Sequence, residues 1–330
     1  MKYILASFVL VLFSTLYINF NVFQSYILQY DLIQEFNTKT LTNSTLQKIQ
    51  NSNITIPNVT MTSLPLLPIY AAYKQAFGDT EQALSILNQP VNDNPYIGYR
   101  ESLKSQIFYD LKVLDSSLFY AKKAYLKVPQ NPIHFERLAI ALAYKKEQDS
   151  LVTYFNLFQH DDEAVWKLFL ASFIAIEGET PDEVISIAKR AKLKFSKSSD
   201  ISYFSNSIIY GLENVKLSSE LSQKAEIFYE NNDFKKAGEL YEMASLKNPG
   251  IYSNFENAAS CFLVTENYEK ALKFSSIVLD SFNISLGKSE FTKAVSLNAL
   301  GQKDEACKFI KISIKQGFKN AYPYLNQFCN

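Results

Sequence analysis

A spacing of 34 residues recurs along most of this 330-residue chain. A period of that size points to one small supersecondary unit stacked on copies of itself, because a single unit cannot bury its own apolar face. The clearest copy carries Leu221-x-x-Lys224-Ala225-x-x-Phe228, a turn at Asn231-Asn232-Asp233, then Ala237-x-x-x-Tyr241-x-x-Ala244 and Pro249. The next carries Phe255-x-x-Ala258-Ala259-x-x-Phe262, a turn at Glu266-Asn267, then Ala271, Ser275 and Val278, with Ala237 and Ala271 34 residues apart. Apolar residues three and four apart predict two amphipathic helices per unit. Small residues such as Ala225, Ala237, Ala259 and Ala271 suit a close helix crossing, and Phe228, Tyr241 and Phe262 fill the space beside it.

The same frame extends backwards. Leu67, Tyr70, Ala71, a Gly78-Asp79 turn, Ala83, Leu87 and Pro95 form a first unit; Ser117, Ala121, Ala124 and Pro129 belong to a second. Phe135, Leu138, Ala139, Leu142, Leu151 and Phe155 form a third, and Trp166, Phe169, Leu170, Phe173, Val184, Ala188 and Ala191 a fourth. The last, with Ala294, Leu297, Gly301, Ala306 and Ile310, is offset by one residue. Proline near the end of a unit stops its second helix. This pattern resembles the tetratricopeptide repeat family, whose helix–turn–helix units are 34 residues long. The resemblance implies an all-α, helix-pair solenoid with right-handed superhelical winding, and it covers about residues 65–330. Residues 93–103 and 117–135 are also similar to repeat tails on bacterial O-antigen ligase or polymerase-like membrane proteins. The multi-span domain of those proteins is missing here, so their chemistry is not implied.

The expected organisation is a membrane anchor over residues 1–30, a polar linker over 31–64 with one short helix around Leu46, and about four units over 65–198. An irregular seam over 199–217, holding one helix without a paired partner, separates these from about three units and a closing helix over 218–330. Twenty-five Phe and 21 Tyr against nine Gly and ten Pro support helices over a turn-rich sheet protein.

Lys2 is the last charge before Asp31, and Tyr3 to Phe23 is apolar apart from Asn19, Asn21, Ser7, Ser14 and Thr15. A membrane-spanning helix needs about 20 such residues. No small-x-small cleavage site follows, so an uncleaved single-pass anchor is expected, the alternative being a cleaved signal and secretion. Lys2 before the span, with Asp31 and Glu35 after it, places the repeats on the periplasmic or other extracytoplasmic side. Asn43, Asn53, Asn58 and Asn283 open N-x-S/T sequons, which chance explains in a chain this rich in Asn, Ser and Thr.

Lys plus Arg and Asp plus Glu both number 33, which argues against a nucleic-acid partner. No nucleophile elbow, phosphate loop or dinucleotide fingerprint appears, and the two histidines, His134 and His160, lack metal-ligand spacing. No enzyme activity, cofactor or metal is expected. His160-Asp161-Asp162-Glu163 reads as a helix start, where acidic residues complement the dipole. Cys261, amid Ala259 and Phe262, reads as a buried small hydrophobe. Cys307 and Cys329 are expected to be two unpaired thiols; a bridge between the final unit and the closing helix is the alternative should the repeats meet an oxidising compartment.

In the tetratricopeptide family the first helices of successive units line a concave groove. By that resemblance the candidate groove residues are Glu136, Ile140 and Tyr144, then Ser222, Glu226 and Tyr229, then Glu256, Ser260 and Leu263. This mixed, somewhat acidic set differs from the Lys/Asn clamp with which some relatives hold a peptide carboxylate. The leading reading is a non-enzymatic scaffold binding a protein segment near a membrane, in envelope or polysaccharide assembly. The alternative is an accessory subunit of a membrane enzyme, binding a glycan or small ligand.

Overall fold

The computed structural model describes residues 2–38, 40–52, 59–60, 63–90, 94, 96–157, 161–282, 284 and 286–329. Asn53, Asn58, Asn283, Pro95 and His160 lie outside them. The regular structure among the described residues is all helical, with one isolated bridge between Val59 and Pro65. They fall into two compact units, 1–178 and 179–330.

The first unit holds α1 (Lys2–Thr38), α2 (Asn43–Asn51), α3 (Leu66–Ala76), α4 (Thr80–Asn88), α5 (Tyr99–Asp110), α6 (Leu114–Lys127), α7 (Pro132–Tyr144), α8 (Gln148–Leu157) and α9 (Glu163–Ile176). The second holds α10 (Asp182–Lys194), α11 (Ser199–Tyr210), α12 (Leu212–Glu230), α13 (Phe234–Lys247), α14 (Tyr252–Val264), α15 (Tyr268–Ser281), α16 (Lys288–Ala299) and α17 (Lys303–Lys315). A 3₁₀ turn (Lys319–Tyr324) and α18 (Leu325–Cys329) close it. Short turns join the helices into tetratricopeptide-type pairs, and within each unit neighbouring pairs pack on one another. The second helices keep the period: α4, α6, α8 and α10 start at 80, 114, 148 and 182, and α13, α15 and α17 at 234, 268 and 303.

The turns within the pairs repeat as closely as the helices. Gly78, Lys112 and Lys146 in the first unit, and Asn232, Glu266 and Gly301 in the second, all have positive φ. In each case the next N–H reaches back to the preceding helix: Asp79 to the Lys74 carbonyl, Val113 to Phe108, Glu147 to Leu142, Asp233 to Phe228, Asn267 to Phe262 and Gln302 to Leu297. This left-handed cap satisfies carbonyls that the helix end leaves open. Asp79, Asp233 and Asn267 then cap the following helix by accepting an N–H from Gln82, Lys236 and Lys270.

Between the pairs the core is aromatic. In the first unit Phe155 stacks on Phe169 at 4.1 Å and meets Trp166 edge-on at 5.0 Å, while Tyr125 and Phe135 continue the column. In the second, Phe255, Phe262 and Phe274 surround the fully buried Ala258 and Ala271.

Two expectations need correction. Residues 31–64 are not simply a linker. The end of α1 and the whole of α2 share a buried cluster with α3, made of Leu28, Leu32, Leu46, Ile49, Leu66, Ile69 and Tyr73. Glu35 ties them by accepting hydrogen bonds from the Thr42 amide and hydroxyl, the Thr45 hydroxyl and the Tyr73 phenol. Burial works to raise the Glu35 pKa, but these donors together hold it below the usual carboxylate value. Residues 199–217 hold α11, which falls outside the helix pairs and packs on both α10 and α12; α12 begins at once at Leu212, because Gly211 turns the chain there at φ 91°. Cys307 and Cys329 are not two free thiols: they form a disulfide, Cα–Cα 4.9 Å, which ties α18 to α17, while Cys261 is free and buried. The closing segment brings the pair together by burying Ala321 and Phe328 in one cluster with Ala306 and Ile310.

A candidate binding face on the first helices

In the second unit α12, α14 and α16 are the first helices of successive pairs. Their core sides are occupied by Ala225, Phe255, Ala258, Phe262, Ala294 and Leu297, all buried except for the partly covered fringe around them. Helical geometry then directs the intervening positions away from the paired helix.

Polar bonds join these helices side by side. The Ser222 hydroxyl donates to Asn254 Oδ1 at 2.8 Å, and Asn254 Nδ2 donates to Ser218 Oγ at 3.3 Å. Ser218 in turn donates to the Ala244 carbonyl at 2.8 Å. One step along, Ser289 donates to Glu256 Oε1 at 3.0 Å, and Lys288 approaches Glu256 Oε2 at 3.5 Å and Asn257 Oδ1 at 3.4 Å. Asn254 and Ser289 are buried, so each bond replaces water at a site where an unpaired polar atom would be costly.

The candidate residues therefore separate by role. Ser222 and Glu256 are spent on contacts between neighbouring first helices. Ser260 bonds back to the Glu256 carbonyl, and Leu263 packs at the edge of the buried cluster. Glu226 and Tyr229 remain exposed, with Ile227 beside them, and the Tyr229 ring meets Phe234 edge-on at 5.3 Å. Beneath them the buried Tyr241 phenol is pushed to a higher pKa by its burial, with the Glu226 charge adding to this. The phenol thus stays a neutral hydrogen-bonding group.

Glu136, Ile140 and Tyr144 lie on α7, in the other compact unit. Glu136 and Ile140 are half-buried and Tyr144 is exposed. The Tyr144 ring stands edge-on to Tyr109 of α5 at 5.2 Å, and the hydrogen bond between the two phenols, ahead of burial, pushes Tyr109 up to about 12. Nearby on α5, the buried Lys104 donates to Asn88 Oδ1 at 2.7 Å and lies over the Tyr120 ring; burial first, then Arg100, lowers its pKa. Sequence reasoning missed Asn254, Ser289, Lys288 and Tyr109. Their signal was polar or aromatic character at first-helix positions 32 to 35 residues from a groove candidate. Among the described residues no group of three or more His, Cys, Asp or Glu is placed to hold a metal ion.

No family model and no curated protein matches the sequence. Solved structures of tetratricopeptide proteins do align with it. The TPR domain of P58(IPK) is 15% identical over 94% of this chain and 97% of its own, with a TM-score of 0.39. The TPR2AB domain of yeast Sti1, in a complex with pHSP90, is 12% identical over 70% of this chain and 96% of its own, with a TM-score of 0.31. The human IFIT1 dimer with PPP-AAAA is 13% identical over 90% of this chain and 72% of its own, with a TM-score of 0.29. None of these is an O-antigen ligase or polymerase-like protein.

Proposed function

We propose that this chain is a non-enzymatic binding adaptor, held in a membrane by α1, whose repeats present the first-helix face of α12, α14 and α16 to a segment of a protein partner. The observation that carries the reading is the division of labour on that face. Ser222, Asn254, Glu256 and Ser289 fix its geometry, leaving Glu226 and Tyr229 ordered, exposed and unused by the core. A preordered face loses little freedom on binding, and a tyrosine beside a carboxylate offers apolar area with hydrogen-bonding capacity.

Anchoring rests on α1, which is long and apolar enough to cross a membrane and is uncovered over its apolar window. Export of the repeats is supported by the Cys307–Cys329 disulfide, since such bonds persist in oxidising compartments, and by the charge bias around the span. Envelope or polysaccharide assembly is the setting that suits an exported, anchored scaffold.

The test places a photoreactive phenylalanine analogue at Tyr229, and as a control at Leu246 on α13. A discrete protein adduct from intact membranes at 229, absent at 246 and abolished by Glu226→Lys, is the expected result. Equal labelling at both positions, or no protein adduct at 229, overturns the reading. The glycan-binding alternative draws on the exposed Tyr144 ring braced by Tyr109, an aromatic platform of the kind a sugar face stacks on. It requires Tyr144→Ala to abolish retention on an immobilised cell-envelope polysaccharide.

A further inference from the structure

The transition from exposed to packed helix within α1 fixes more than an anchor. α1 is a single helix from Lys2 to Thr38 with no glycine or proline in it. From Tyr3 to Phe20 every residue is exposed. One face then becomes covered: Ser25, Leu28, Gln29 and Leu32 are at most 4% exposed against the α2–α3 cluster. The opposite face stays open and apolar for two further turns. Phe23, Tyr26, Ile27 and Tyr30, spaced as one helical stripe, are 48–66% exposed. Beyond Tyr30 that stripe turns polar at Gln34 and Asn37.

The lengths decide what covers this stripe. Tyr3 to Gln24 spans about 32 Å of helix and Tyr3 to Tyr30 about 40 Å. A bilayer has a hydrocarbon core of about 30 Å and measures about 40–45 Å with its headgroups. The uncharged run and its open stripe thus end where the headgroup layer ends, with tyrosines at both limits, where amphipathic rings are favoured. α2 folds back alongside this segment. Glu35 meets Thr42 and Thr45, Asp31 pairs with Lys48 at 2.6 Å, and Gln29 bonds the Val59 carbonyl. Residue numbers rise on α2 as they fall on α1, so Asn51 at the end of α2 returns to the level of Tyr26 to Tyr30.

We infer that this N-terminal cap, α1 beyond Ser25 with α2, is seated in the headgroup layer, Tyr26 and Tyr30 facing lipid, so that the repeats are joined to the membrane without a flexible spacer. This rests on the membrane-anchor reading. A second copy of the chain would cover only one stripe of α1, whereas the apolar run is open on all sides.

The native cysteines leave the test clean, since Cys261 is buried and the other two are bonded. Phe13→Cys, Tyr30→Cys, Asn51→Cys and Gln130→Cys, all at exposed sites, are spin-labelled in the full chain. The protein is reconstituted in phosphatidylcholine–phosphatidylglycerol vesicles, and oxygen and nickel-chelate accessibilities are measured. The expected order of the oxygen-to-nickel ratio is highest at 13, intermediate at both 30 and 51, and lowest at 130. A deep label at 13 with 51 as aqueous as 130 overturns the seating while leaving the anchor intact. An aqueous label at 13 overturns the anchor as well. A label at 13 shielded from both reagents reports a protein contact and overturns the seating.

Discussion

Gly250 and Asn206 touch so closely that a β-carbon on residue 250 would lie 2.4 Å from Asn206 Oδ1. The approach has a reason. Lys192 of α10 donates to Asn206 Oδ1 at 2.8 Å and to the Gly250 carbonyl at 3.0 Å, so one ammonium joins α10, α11 and the α13–α14 connection. Burial lowers the Lys192 pKa, and its two acceptors stand in for lost water. Asn248 reinforces the bend by accepting the Gly250 N–H at 3.1 Å.

Gly250→Ala is therefore expected to destabilise the second unit by about 1–3 kcal/mol, the usual range for forcing extra volume into a close-packed site. Urea unfolding measures it. Because the clash is with Asn206, adding Asn206→Ala should recover part of the loss; a double variant whose cost is the plain sum of the singles rules out direct contact as the cause.

Backbone strain supplies a second expectation. Lys112, Lys146 and Glu266 adopt the left-handed conformation at turns where Gly78 and Gly301 do so without a side-chain penalty. That conformation costs an L-residue roughly 1 kcal/mol, part of which a glycine gives back through the entropy of the unfolded chain. Glu266→Gly should leave stability unchanged or raise it by up to about 1 kcal/mol, whereas Gly301→Ala should lower it by about 1 kcal/mol. The comparison matters because no atom lies within 4 Å of where a Cβ at 301 would stand, so only the backbone is being probed. Equal destabilisation by both changes contradicts it.

The turns and helix pairs were legible because their determinants are local and repeat. Ala237 and Ala271, or Asp233 and Asn267, declare their roles through position in a 34-residue frame. Glu226 and Tyr229 were readable as face residues by the same frame. The structure's cross-links were not. Lys192 meets Gly250 across 58 residues and Asn254 meets Ser218 across 36, and neither bond leaves a periodic trace. In the N-terminal cap the short helix around Leu46 was legible, but its packing on α1 and α3 was not. The Thr- and Asn-rich composition of residues 37–63 suggests a spacer, yet Thr42 and Thr45 are donors to one carboxylate, Glu35, and the apolar content of α2 is only Leu46 and Ile49.

His134 should make the first unit sensitive to acid. It is buried beside the end of α6, and its pKa is lowered by that burial, against partial opposition from the nearby Ala124 and Val128 carbonyls and the Glu101 charge. The fold thus favours the neutral ring. The unfolded chain binds a proton near pH 6.5 and the folded chain only at lower pH. The resulting stability is complete above the unfolded value. It falls as pH drops below about 6.5 and is fully lost once the folded ring also protonates. Denaturation midpoints at pH 7.5 and 5.5 should differ more for the wild type than for His134→Gln. An NMR titration of the imidazole should show a midpoint below the ordinary histidine value. A midpoint above it refutes the assignment.

The last prediction concerns the disulfide that holds the closing segment. Cys307 leaves α17 and Cys329 ends α18, with 22 residues of separation, and between them Phe318, Tyr324 and Phe328 cover Phe291 and Ile310. These rings shield the apolar side of the α16–α17 pair. Closing a loop of that length restricts the unfolded chain by roughly 3 kcal/mol in the chain-entropy model. Cys329→Ser should therefore lower the stability of the second unit by up to that amount. Hydrogen exchange should show where: amides of α18 and the end of α17 lose protection first, while those of α13 and α14 keep theirs. Reduction of the wild type should reproduce the pattern. Uniform loss of protection across the unit, or none at all, shows that the bond does not act by holding the cap.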